Sequence, residues 1–194
     1  GLSTAGEPER ADPLEARVEV VLGIVVHGAL EDLAQTGLPE DLPEYLTAAA
    51  PRWQAMASEH DLAADDVERV VAITAAQISA VLQHEDGRRL LKPAPDASSE
   101  LALTAAVDGG VQNLVIDRTF TDPDTGERWV VDFKTAIPRD GTNQDAFIGT
   151  EVSRYRPQLE RYGRVASALY GQPVRLALYF TALPRLVELE PSGG

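Results

Sequence analysis

Two carboxylates and a lysine stand within one short stretch of this chain. Asp117 follows Val115-Ile116, and Asp132-Phe133-Lys134 follows Val130-Val131. Between them, Asp122-Pro123-Asp124-Thr125-Gly126 carries proline and glycine where a tight turn needs them. With the loop at 123–126, residue 122 opposes 127 and Asp117 opposes Asp132. Their Cβ atoms would then lie ~5 Å apart on one face of a hairpin. Lys134 points to that face as well, while Trp129, Val131 and Phe133 point away into a core. Like charges directly opposed on a sheet are destabilising, so the pair asks for a cation. Carboxylates are hard oxygen ligands that suit Mg²⁺ or Mn²⁺. A lysine beside them can hydrogen-bond a water or a phosphoryl oxygen, and partial desolvation would ease loss of its proton. Together Asp117, Asp132 and Lys134 suit metal-assisted hydrolysis of a phosphodiester. The same residues would also fit a polar hairpin with two exposed acids, and a register slip of one residue would undo the pairing.

Such a hairpin needs a sheet to lie in and helices to cover it. Alternating patterns predict strands over 100–107, 112–121 and 127–136. Residues 174–181 are β-rich and apolar on both faces, as an interior strand would be. Before the sheet, Leu14, Val18, Val21, Leu22, Val25, Ala29, Leu30 and Leu33 follow helical spacing, and Gly37 and Pro39 end that helix. A second helical stretch over 42–58 is interrupted by Pro51. A third follows Asp65-Asp66, read as cap and first-turn acids. Residues 85–98 read as a turn-rich connector, and 137–150 as a loop or lid. A last helix covers 152–170, with Pro157 a possible first turn and Gly171 as its cap. The expected class is α/β (α+β): a central mixed sheet flanked by helices, with a helical N-terminal half. Residues 1–13 read as a flexible segment and 14–194 as one domain, divided into a helical part (14–98) and a sheet-and-helix core (99–181).

Composition narrows the chemistry further. The 194 residues include no cysteine, which excludes disulfides, thiolate zinc, iron–sulfur clusters and a cysteine nucleophile. A cysteine-free chain is compatible with a reducing cytoplasm, and cytoplasmic location is the expectation. No apolar run approaches the ~20 residues of a membrane span. No signal peptide, Walker loop or dinucleotide fingerprint is visible. The net charge of −14 argues against electrostatic searching for nucleic acid. That charge is uneven: residues 1–100 hold 19 acids and 7 bases, and 101–194 hold 12 acids and 10 bases. Only Lys92 and Lys134 among the 17 basic residues are lysine, and arginine is the better bidentate phosphate fork.

The ordered motifs resemble the RecB-family branch of the PD-(D/E)XK nucleases. They look most like the C-terminal nuclease domain of AddA/RecB-type, exonuclease V β-subunit-like helicase–nucleases. The resemblance rests on Gly23-Ile24-Val25-Val26-His27-Gly28-Ala29-Leu30-Glu31, then Glu100, then Asp117-Arg118. It continues with Asp132-Phe133-Lys134-Thr135 and with Tyr155-Arg156-Pro157-Gln158-Leu159-Glu160-Arg161-Tyr162, so it covers nearly the whole chain. Leu114 stands where the family usually has glycine, and the cysteines of the iron–sulfur branch are absent.

The resemblance implies a restriction-endonuclease-like core with an intact site. His27, Asp117, Asp132 and the Phe133 carbonyl would hold Mg²⁺ or Mn²⁺. Gly23, His27 and Glu31 share one helix face, though a lone histidine there could equally be a packed one. Glu100 would be an extra acidic ligand or water holder, or else a strand-start acid in solvent. Lys134 would be the catalytic lysine. Gln158 and Tyr162, with Tyr155, share a helix face and would position the scissile phosphate. Arg118 would be a phosphate clamp or an ion-pair partner of the acids. The implied activity is a metal-dependent DNA nuclease of DNA end processing and recombinational double-strand-break repair. Its expected partners are DNA, a fused or associated UvrD/Rep-type helicase and an AddB/RecC-like subunit, with no membrane. The chain would be an excised domain or a standalone relative. The competing functions are a silent docking domain of the same fold and a phosphohydrolase acting on small esters.

Overall fold

The computed structural model describes residues 13–94, 96–107 and 110–190. The expected flexible segment 1–13 lies outside them except for Pro13, which opens the first helix. Four helices come first: α1 Pro13–Thr36, α2 Leu42–Ser58, α3 Ala64–Gln83 and α4 Glu85–Leu91. Then follow β1 Ser98–Val107, β2 Gly110–Thr121, β3 Arg128–Lys134, α5 Gln144–Tyr170, β4 Val174–Phe180 and β5 Arg185–Leu189. The strands form one mixed sheet in chain order, antiparallel except where β3 and β4 run parallel across the α5 crossover. The expected α/β class with a helical N-terminal half is the one observed.

Each face of the sheet has its own apolar cluster. Phe120, Trp129, Val131, Phe133, Ala177 and Tyr179 pack with α1–α4. Val130, Leu178 and Phe180 pack with Ile148, Leu159, Tyr162 and Ala166 of α5. β3 and β4 are thus apolar toward both layers, as a parallel interior pair must be. The hairpin closes as its turn residues predict. Gly126, at φ 73°, donates to the Asp122 carbonyl, and the ladder pairs Thr121 with Arg128 through Arg118 with Val131.

β2 does not keep one face throughout. Leu114 and Ile116 belong to the α5 cluster, whereas Phe120 belongs to the other. Even spacing would hold all three on one side, so the strand changes side between 116 and 120. The cause lies opposite. The β1–β2 ladder passes from Ser99–Arg118 to Leu101–Ile116, and Glu100 between them has φ 50°. The ladder is thus interrupted at Glu100 and Asp117 with no residue inserted, and the positive φ of Glu100 re-aims the side chains there.

Several elements differ from expectation. α2 and α5 run straight through Pro51 and Pro157. Both prolines are exposed, as are Thr47 and Ser153, so solvent can satisfy the carbonyls that lose an intrahelical donor. α5 begins at Gln144 because the Asn143 side chain accepts from Ala146 N–H at 3.0 Å, which converts part of the expected lid into helix. α4 occupies part of the expected connector, and β5 adds a strand beyond 181. At α3 the cap position is Ala63, with Asp65 and Asp66 in the first turn. Among the described residues no helix is long and apolar enough to cross a membrane.

Candidate metal centre and active site

The β2 break carries Asp117 toward α1. Asp117 Oδ1 lies 3.6 Å from His27 Nδ1, and Glu100 Oε1 lies 3.7 Å from the same nitrogen. Ligand atoms of His27, Glu100 and Asp117 all fall within 4.8 Å of one another. Gly23, His27 and Glu31 line one groove with Glu100, Val115 and Asp117, so the shared helix face is real. The other Asp117 oxygen accepts the Phe133 N–H at 2.7 Å, which ties the carboxylate to β3.

Asp132 falls opposite Asp117, one step past the last ladder pair. The two carboxylates nonetheless take different partners. Asp132 makes an ion pair with Lys134, and the side chains of both are largely buried. The Lys134 ammonium also lies 3.4 Å from the centroid of the Tyr155 ring. Gln158 Nε2 donates to Tyr162 Oη at 2.8 Å on the same α5 face. Burial raises the Tyr162 hydroxyl above its ordinary pKa, with the Asp132 and Asp117 charges adding to it, so it stays protonated at neutral pH.

The electrostatics on the α1 side are frustrated. Burial and the Asp132 charge push Asp117 up to about 7, against the pull of His27 and the Phe133 hydrogen bond. Burial works against the His27 imidazolium, but the Glu100 contact and the Asp117 and Asp132 charges outweigh it and raise the pKa. Three carboxylates therefore crowd one imidazole.

Residues 3–191 match the family model described as the PD-(D/E)XK nuclease superfamily. The chain belongs to the PD-(D/E)XK nuclease superfamily. Members of this superfamily are usually metal-dependent nucleases. No curated protein matches the sequence. The crystal structure of SSO0001 is similar over 88% of this chain and 76% of that one, with 14% identity and a TM-score of 0.32. A likeness that distant adds no argument.

The donor set of this PD-(D/E)XK site fits a divalent cation. Hard oxygens from Asp117 and Glu100 and one imidazole converge, and the raised Asp117 marks charge that a cation would neutralise. The structure brings together His27, Glu100, Asp117, Asp132, Phe133, Lys134, Tyr155, Gln158 and Tyr162. It does not bring Arg118, which corrects both readings of that residue. Arg118 is 3% exposed and donates to the Leu90 and Lys92 carbonyls and to Ser99 Oγ, at 3.0, 2.9 and 3.1 Å. It staples α4 and its exit to the sheet and has no ionic partner among the described residues. Sequence reading missed Gln77 and Thr181, which meet at the end of β3. They belong to no motif, and only the fold brings them together.

Proposed function

We propose that the chain is a divalent-metal-dependent deoxyribonuclease that hydrolyses phosphodiester bonds, using Mg²⁺ or Mn²⁺. One observation carries the reading: the β2 break and the end of β3 set His27, Glu100 and Asp117, a group able to hold a metal, beside a largely buried, ion-paired lysine. His27, Glu100, Asp117, Asp132 and the Phe133 carbonyl would hold the cation. A bound divalent cation makes water more acidic and offsets charge on a phosphoryl oxygen. Lys134, placed by Asp132 and the Tyr155 ring, would orient the attacking water or donate to a phosphoryl oxygen. Gln158 and Tyr162, hydrogen-bonded to each other, would present donors to the scissile phosphate, and the Tyr155 ring holds the Lys134 ammonium over its face. The finer reading follows the resemblance: a nuclease unit working with a UvrD/Rep-type helicase and an AddB/RecC-like subunit in DNA end processing and recombination repair. The net charge of −14 supports a domain that is handed its DNA, because such a surface repels phosphates.

The test is degradation of end-labelled single- and double-stranded linear DNA with Mg²⁺ or Mn²⁺, compared with Lys134→Ala and with EDTA. Metal-dependent cleavage lost in Lys134→Ala is the expected result. A chain that binds metal but cleaves only when a helicase is added supports the partner arrangement. A chain that binds no metal and cuts nothing is a docking domain, and the proposal falls.

A further inference from the structure

The β3–β4 ladder stops at Lys134 and Phe180, immediately beside the site. Backbone carbonyls just past such an end need partners from elsewhere. Thr181 supplies the first: its N–H donates to the Lys134 carbonyl at 2.9 Å. Its Oγ1 lies 2.5 Å from Gln77 Oε1 and 3.1 Å from the same Lys134 carbonyl. Gln77 then turns its amide to the next carbonyl, with Nε2 donating to Thr135 O at 3.1 Å. Gln77 is 4% exposed and Thr181 is fully buried. From the other side, a Cβ built on Gly23 of α1 would stand 3.5 Å from Thr135 Oγ1. Thr135 thus lies between α3, which reaches its carbonyl through Gln77, and the helix that carries His27.

A buried glutamine is a costly way to fill space, since each of its polar atoms must find a partner. Here the amide nitrogen donates to a backbone carbonyl and the amide oxygen accepts from the Thr181 hydroxyl, both at one point of the sheet. That point sets the direction in which Lys134 leaves β3. We propose that Gln77 and Thr181 are positioning residues that hold the end of β3 and thereby place Lys134 for the reaction. The inference rests on the nuclease reading for its catalytic half alone; the geometric half concerns Lys134 itself.

The chain has only two lysines, Lys92 and Lys134, so protein labelled with ¹³C-lysine gives two ε-methylene signals. The Tyr155 ring, 3.4 Å from the Lys134 ammonium, displaces that signal, and exposed Lys92 is the reference. Gln77→Met and Thr181→Val keep volume and remove the hydrogen bonds; Thr181→Ser keeps the hydroxyl. All are compared where circular dichroism shows them folded. In the first two the Lys134 signal should move toward that of Lys92. On end-labelled DNA their kcat should fall ~10–100-fold with KM within about twofold, as misplacement by about an ångström produces. Thr181→Ser should resemble the unsubstituted chain in both. An unmoved Lys134 signal overturns the proposal, and so does a moved signal with undiminished kcat. If the unsubstituted chain binds no metal and cuts nothing even with a helicase added, while the signals move as stated, the nuclease reading fails and the clamp on Lys134 stands.

Discussion

The two halves of the site solve their electrostatics differently. On the α5 side every polar group has a match within the protein: Asp132 has Lys134, Lys134 has Tyr155 as well, and Gln158 has Tyr162. On the α1 side His27 faces Glu100 and Asp117, and Asp117 is pushed up to about 7. The first half is paired within the protein. The second is assembled at a cost in charge repulsion, and that repulsion is what gives it affinity for a cation. A protein that matched every charge in both halves would be more stable and would bind metal less well.

Substitutions should separate the halves. The largest effect is expected from Lys134→Ala, which should lower the rate of DNA cleavage ~10²–10⁴-fold while leaving metal affinity by calorimetry nearly unchanged. A parallel loss of metal binding would mean that the halves are not independent. Arg118→Met should act on neither half. It frees two backbone carbonyls from a buried guanidinium and should cost ~2–4 kcal/mol of stability in denaturant titration, with cleavage per folded molecule retained.

The α1 side should show its repulsion in a pH titration of the metal-free protein. A carboxyl raised in the fold keeps its proton where the unfolded chain has lost it, so stability falls as pH rises from about 4 to about 7. The raised His27 adds a loss of the same sign as pH climbs through its folded value. Asp117→Asn should flatten this dependence and stabilise the metal-free chain by ~2 kcal/mol at pH 8, while weakening metal at least about tenfold. A steeper fall with pH in the variant would contradict the assignment. The smallest effect is expected from Tyr155→Leu, about 1 kcal/mol on Lys134 placement, read as a several-fold loss of kcat.

The sequence made the hairpin legible because its turn chemistry is strong. Pro123 and Gly126 fix the loop, the loop fixes the register, and the register places Asp117 opposite Asp132. The partners of those acids were not legible. The break at Glu100 has no composition signal, since a glutamate at positive φ looks like any other glutamate. It alone decides that Asp117 joins His27 and leaves Asp132 to the lysine. Arg118 was misread for a related reason: beside an acid it looks ionic, and only the position of α4 reveals the carbonyls it serves. α4 itself was hidden by its brevity and by Gly87. A Cβ at Gly87 would meet the Val81 carbonyl at 2.3 Å and the Tyr179 hydroxyl at 2.7 Å, so glycine is there for clearance and breaks no helix.

His27 and Asp117 lie nearly half the chain apart, on opposite sides of the connection between the helical layer and the sheet. The helical layer alone lacks the carboxylates, and the sheet alone lacks the imidazole. During synthesis, or after a cut between α4 and β1, each portion holds only part of the site. The cation site is therefore a reporter of docking between layers. It should form at the last stage of folding, when contacts distant in sequence close, and two separately made fragments should regain metal affinity only on mixing.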